Sequence, residues 1–131
     1  MSIETVAAEI RRLDAISKRV LEAPCREAQV MEQELIDKVE ALGSVICGLE
    51  PTTARETLAL AIVLRAEIDT RVGPEEGREL LLRMVEALIL GLERIAGERA
   101  ESVLPHFASL PTLDFDARVA KARAAGVAEA A

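Results

Sequence analysis

An all-α fold is what these 131 residues predict, and three observations carry it. Apolar residues recur at steps of three and four along most of the chain, the spacing of one helix face. Half the residues are apolar, 22 of them Ala, and the only aromatics are two Phe, so the core must be aliphatic. Gly48, Gly73-Pro74 and Pro105 stand between the periodic stretches, where helices end. Together these predict a four-helix, up-down antiparallel bundle over residues 1–104, followed over 105–131 by a proline-containing C-terminal arm.

The first helix is expected over residues 3–22. Ile3, Val6, Ile10, Leu13, Ser17 and Val20 step by 3, 4, 3, 4 and 3, a seam suited to another helix. Pro24 interrupts it by removing a backbone donor and crowding the preceding turn. The second helix, over 25–47, restarts the seam as Ala28, Glu32, Leu35, Val39, Leu42 and Ile46. Its register is shifted by one residue, about 100° around the helix. Two outcomes satisfy that shift. Either the chain turns at Pro24 into a hairpin, or one long helix kinks there and covers its seam in an intertwined dimer.

Gly48 is expected to close the second helix as a left-handed residue. Thr53 and Glu56 have the spacing of a capping box, in which each side chain satisfies the other's exposed amide. The third helix, over 53–72, is uncharged on every side from Thr57 to Leu64, so it is the expected centre of the core. Pro74 opens the fourth helix, over 75–103, where Glu75, Glu76 and Glu79 suit the positive end of its dipole. Its apolar face is Leu81, Met84, Val85, Leu88, Leu92 and Ile95, widened by Leu82, Ile89 and Ala96. Asp114 is placed to cap a short last helix.

Charge closes off several functions. Lys and Arg number 16 against 23 Asp and Glu, and no segment of the chain is net basic. Phosphate neutralisation needs a cationic face, so nucleic acid is not an expected partner. A recognition helix beginning Pro74-Glu75-Glu76 would turn acids to the groove. The longest uncharged run, Ser102 to Leu113, is too short to span a bilayer and holds two prolines, so no membrane partner is expected either. The N-terminus lacks the basic and apolar regions of a signal peptide, and two cysteines fit a reducing compartment, so the expected location is cytoplasmic. Thirteen Arg against three Lys, with abundant Ala, suggest a GC-rich bacterial coding sequence.

Candidate chemistry is thin. Cys25 and Cys47 have one possible base, His106, and no third orienting group stands out. An unbroken second helix would hold the two cysteines about 33 Å apart, far beyond the roughly 7 Å of a disulfide. Glu32 falls on an apolar seam, but a di-iron bundle wants Glu-x-x-His on two helices, and there is no Cys/His zinc spacing. No catalytic residue, metal or cofactor is therefore expected. Gly91, in mid-helix, costs about 1 kcal/mol relative to Ala. With Ala87 it makes a small-residue face for a closely packed helix. The functional expectation is a non-enzymatic protein acting through protein–protein contacts and self-association, with Val6, Ile10, Leu13 and Val20 as its seam. Phe107 and Leu110 are expected either to fold back over the bundle or to dock on a partner. The alternative is a regulatory bundle that binds a small molecule in an apolar pocket near Gly91.

Overall fold

Ser2 starts the first helix: its hydroxyl accepts the Thr5 N–H at 3.1 Å, satisfying one of the amides a helix start leaves open. In the computed structural model, which describes residues 1–22, 25–108 and 124, that helix is α1, Ile3–Leu21. It is followed by α2 (Arg26–Ile46), α3 (Ala54–Arg71), a single 3₁₀ turn (Pro74–Glu76) and α4 (Arg78–Ala96). Two one-turn helices, α5 (Ala100–Val103) and α6 (Pro105–Ala108), complete it. Among the described residues there is no strand.

The long helices pack in two pairs, α1 beside α2 and α3 beside α4. Pro24, where a turn and a kink were both open, lies outside the described residues. Within one chain, though, α1 and α2 lie against each other, so they do not form a single extended arm. The α1 seam faces inward: Ile3, Val6, Ile10 and Leu13 are buried, with Val20 half-buried. Val39, Gly43 and Ile46 of α2 are buried as well.

α3 is the central element. Leu58, Ala59, Ala61, Ile62, Val63, Ala66 and Ile68 are all buried, on several sides of the helix. It also meets α1, α2, α5 and α6, whereas α4 packs on α3 and the 3₁₀ turn and touches α1 and α2 marginally at most.

One carboxylate ties this centre to the rest. Thr53 accepts the Glu56 N–H at 3.1 Å, the first half of the expected capping box. Glu56 does not reach back to Thr53. Its buried carboxylate accepts the Thr52 N–H at 3.0 Å, the Thr52 hydroxyl, and the Glu4 N–H at the start of α1 at 2.8 Å. The Thr52 hydroxyl and these amides hold its pKa below the usual carboxylate range. Around it, Glu4 pairs with Arg11 at 2.9 Å and with Arg55 at 3.4 Å. Arg55 continues to Glu98 at 3.0 Å, and Arg11 donates to the Val103 carbonyl at 3.1 Å. The starts of α1 and α3, the end of α4 and α5 are thereby joined at one end of the molecule.

Three boundaries depart from expectation. The only left-handed glycines are Gly77 (φ 85°) and Gly97 (φ 71°) among the described residues, so Gly48 is not one. The chain leaves α2 instead by short-range bonds, Gly48 N–H to the Val45 carbonyl and Leu49 N–H to that of Ile46. Pro74, Glu75 and Glu76 form the 3₁₀ turn, and Gly77 separates them from α4, which begins at Arg78. Gly97 then stops α4 well short of residue 103. The chain beyond it is held by buried Glu93, whose carboxylate accepts the Ala100 N–H at 2.7 Å.

The short helices belong to the core. Val103, Leu104, Phe107 and Ala108 are buried with α1, α2 and α3. Phe107 lies so close to α2 that a Cβ on Gly43 would stand well inside contact distance of its Cζ, so one of the two would have to shift. Gly43 is therefore the position at which the arm docks.

Two outcomes follow. Phe107→Ala should cost about 3–5 kcal/mol in chemical denaturation. Gly43→Ala should expose the 100–108 amides to hydrogen exchange, and Phe107→Leu in that background should restore protection. Because the Glu56 carboxyl titrates lower when folded than unfolded, it adds stability above the ordinary carboxylate pKa, near 4.3, and loses it as pH falls through its folded value. The melting temperature should thus drop steeply below about pH 4. Glu56→Gln should lower the neutral-pH value and flatten that slope; an unchanged slope would contradict the assignment.

Candidate functional site

The described surface carries one continuous apolar feature, and it runs along α4. Leu80, Leu81, Met84, Leu88 and Ile95 are 62, 37, 57, 56 and 75% exposed. At 100° per residue these five fall within about 60° of one line down the helix. Ala87 and Gly91 lie on the same line, and both are exposed. No charged residue interrupts the strip; Arg83 and Arg94 border it on one side. The five exposed fractions amount to about three whole side chains left in water, roughly 5–9 kcal/mol of unrealised burial. That is comparable to the net stability of a typical domain, which makes the strip costly to leave uncovered.

Other exposed apolar groups do not assemble this way. On α2, Val30 and Met31 are exposed between Glu27 and Glu34, and Val45 stands near the far end. Acidic residues along that helix break the surface into separate patches.

The opposite side of α4 explains how the strip arises. Val85 and Ile89 are buried against α3, together with Glu86 and Glu93. α4 therefore has two apolar stripes, and packing on a single helix covers only one. The expected apolar face combined the two: Leu81, Met84, Leu88 and Ile95 face water, while Val85 and Ile89 face α3.

The residues singled out in the sequence are distributed differently. Val6, Ile10 and Leu13 belong to the chain's own core, and Val20 is half-buried. Phe107 is buried against Gly43, and Leu110 lies outside the described residues. Among the described residues, no atom beyond its own stretch of helix lies within 4 Å of where a Cβ on Gly91 would stand, so no described helix or pocket wall meets it.

Of the reactive side chains, one serves a helix end. Cys25 caps α2, its Sγ accepting the Ala28 N–H at 3.4 Å, while Cys47 closes the other end through its backbone N–H, donated to the Val45 carbonyl. Both cysteines are free and exposed as residues, Cys47 keeping partial burial at its sulfur. Burial of the sulfur and the nearby Glu67 push the Cys47 thiol pKa up, away from the thiolate a nucleophile needs. His106 stands edge-on to Phe107, ring centres 5.1 Å apart. Glu32 is half-buried. Among the described residues, no three His, Cys, Asp or Glu side chains gather as metal ligands, and no helix is long and apolar enough to cross a membrane. A scan of protein-family models and searches of curated proteins and solved structures return no match for this chain.

Gly91→Ala tests the open environment of the strip. With nothing to meet the added methyl, the folded single chain should gain up to about 1 kcal/mol of helix propensity, or about 3–5 °C in melting temperature. A loss of stability at a concentration where the chain is monomeric would mean that a neighbour of the same chain occupies that space.

Proposed function

We propose that this chain is a non-catalytic protein that acts by protein–protein contact, with the outer strip of α4 as its docking face. The observation that carries this is the uncharged run of five large exposed side chains on one helix. Contiguous apolar surface of this kind, bordered by charge, is the usual mark of an interaction site. Supporting it, the prominent polar groups act structurally. Glu56, Arg11 and Arg55 join helix ends, Glu93 holds the start of α5, and Cys25 caps α2. The two helix pairs, taken as the up-down bundle that their short connections imply, are a rigid mount for such a face. A protein partner rather than a nucleic acid fits the net charge of −7, and a cytoplasmic setting fits two free cysteines.

Methionine oxidation tests this with probes the chain already carries. In the isolated chain Met84 and Met31 are similarly exposed, at 57 and 51%. Dilute peroxide should therefore oxidise them at similar rates when α4 is uncovered. With the strip docked on protein, Met84 should react at least several-fold more slowly than Met31, in purified protein or in an extract of its own cell. Equal rates under both conditions would contradict the proposal.

A further inference from the structure

We propose that the occupant of the α4 strip is a second copy of this chain, its own α4 laid antiparallel across the first about a twofold axis between Ala87 and Leu88. This rests on the docking role of the strip and adds the identity and register of the partner.

Three features of the strip favour a copy of itself. The first is length. Leu80 to Ile95 spans about 22 Å of helix, and a twofold copy matches that span by construction. The second is area. Two such faces with their rims remove on the order of 1,200 Å² from water, the lower bound of specific interfaces.

The third is shape. Antiparallel pairing about that axis sets Leu80 opposite Ile95, and Met84 opposite Gly91 of the second copy. The largest flexible side chain of the strip then meets the position where nothing stands within 4 Å. A parallel pair would oppose Gly91 to Gly91 and leave that space empty.

The experiment uses the purified full chain. Light scattering over a concentration series should approach twice 14.1 kDa, with Met84 becoming protected from peroxide relative to Met31 over the same range. Leu88→Glu, which places two like charges at the axis, should weaken the dimer at least tenfold and leave the helical circular dichroism unchanged. Leu80→Glu, at the strip's end, should do the same if Leu88→Glu misfolds. Register is read in a cysteine-free background, Cys25→Ser with Cys47→Ser. There Met84→Cys combined with Gly91→Cys should form a covalent dimer on mild oxidation, and Met84→Cys alone should not.

Several results would overturn the proposal. A dimer indifferent to both glutamate substitutions places the contact elsewhere. Efficient crosslinking by Met84→Cys alone makes the pair parallel. A 14.1 kDa species with Met84 protected means that the chain's own residues cover the strip. A 14.1 kDa species whose Met84 is protected only in extract leaves the docking role standing and removes the second copy. Met84 as reactive as Met31 everywhere removes both.

Discussion

An apolar helix with no polar side must be enclosed, and α3 imposes that requirement on everything around it. Its run from Thr57 to Leu64 carries no charge and buries Leu58, Ala59, Ala61, Ile62 and Val63, leaving Leu64 exposed, so neighbours have to arrive from several directions. The α1–α2 pair, the α5–α6 turns and α4 all do so. The Glu56 junction fixes where they arrive. A buried carboxylate is stable only when fully hydrogen-bonded, and this one takes donors from the start of α1 as well as from the start of its own helix. Anchoring of the first helix and holding of the turn that leads into the third are thus the task of one carboxylate.

The arrangement leaves an imbalance in α4. Once the first two helices and the arm have taken their places on α3, α4 has one helix to pack against but two apolar stripes to cover. The exposed stripe represents roughly 5–9 kcal/mol of burial, and association of two rigid bodies costs about 4–15 kcal/mol. Stripes buried on both partners can exceed that cost, whereas a small ligand lying on a convex helix surface covers little of it. Magnitude and curvature alike favour a partner of similar extent.

Much of the fold could be read from the residues. Periodicity located the four long helices, Thr53 marked the start of α3, and the seam of α1 is buried where its spacing placed it. Which face of α4 turns inward could not be read. With apolar residues at Leu81, Met84, Leu88 and Ile95 and again at Val85, Ile89 and Leu92, spacing alone does not rank one stripe above the other. The buried stripe even contains Glu86 and Glu93, which a polarity argument would have turned to water. The glycines carried information that spacing left ambiguous. Gly91 drew attention as a mid-helix glycine and stands in the open, while Gly43, equally mid-helix, accepts the Phe107 ring. The signal for Gly43 was its neighbourhood, next to Leu42 on the α2 seam. Gly97 directly after Ile95-Ala96 was a stop signal of the usual kind, and it ended α4 where Pro105 had been expected to.

The central claim is the orientation of α4, with one apolar stripe on α3 and the other facing out. Solvent paramagnetic relaxation of the side-chain methyl groups, measured at high dilution, tests it most directly. The account predicts strong relaxation at Leu88 and Ile95 and little at Val85 and Ile89, with the first two losing their relaxation as concentration rises. Strong relaxation at Val85 and Ile89 with silence at Leu88 and Ile95 would mean that α4 is turned the other way.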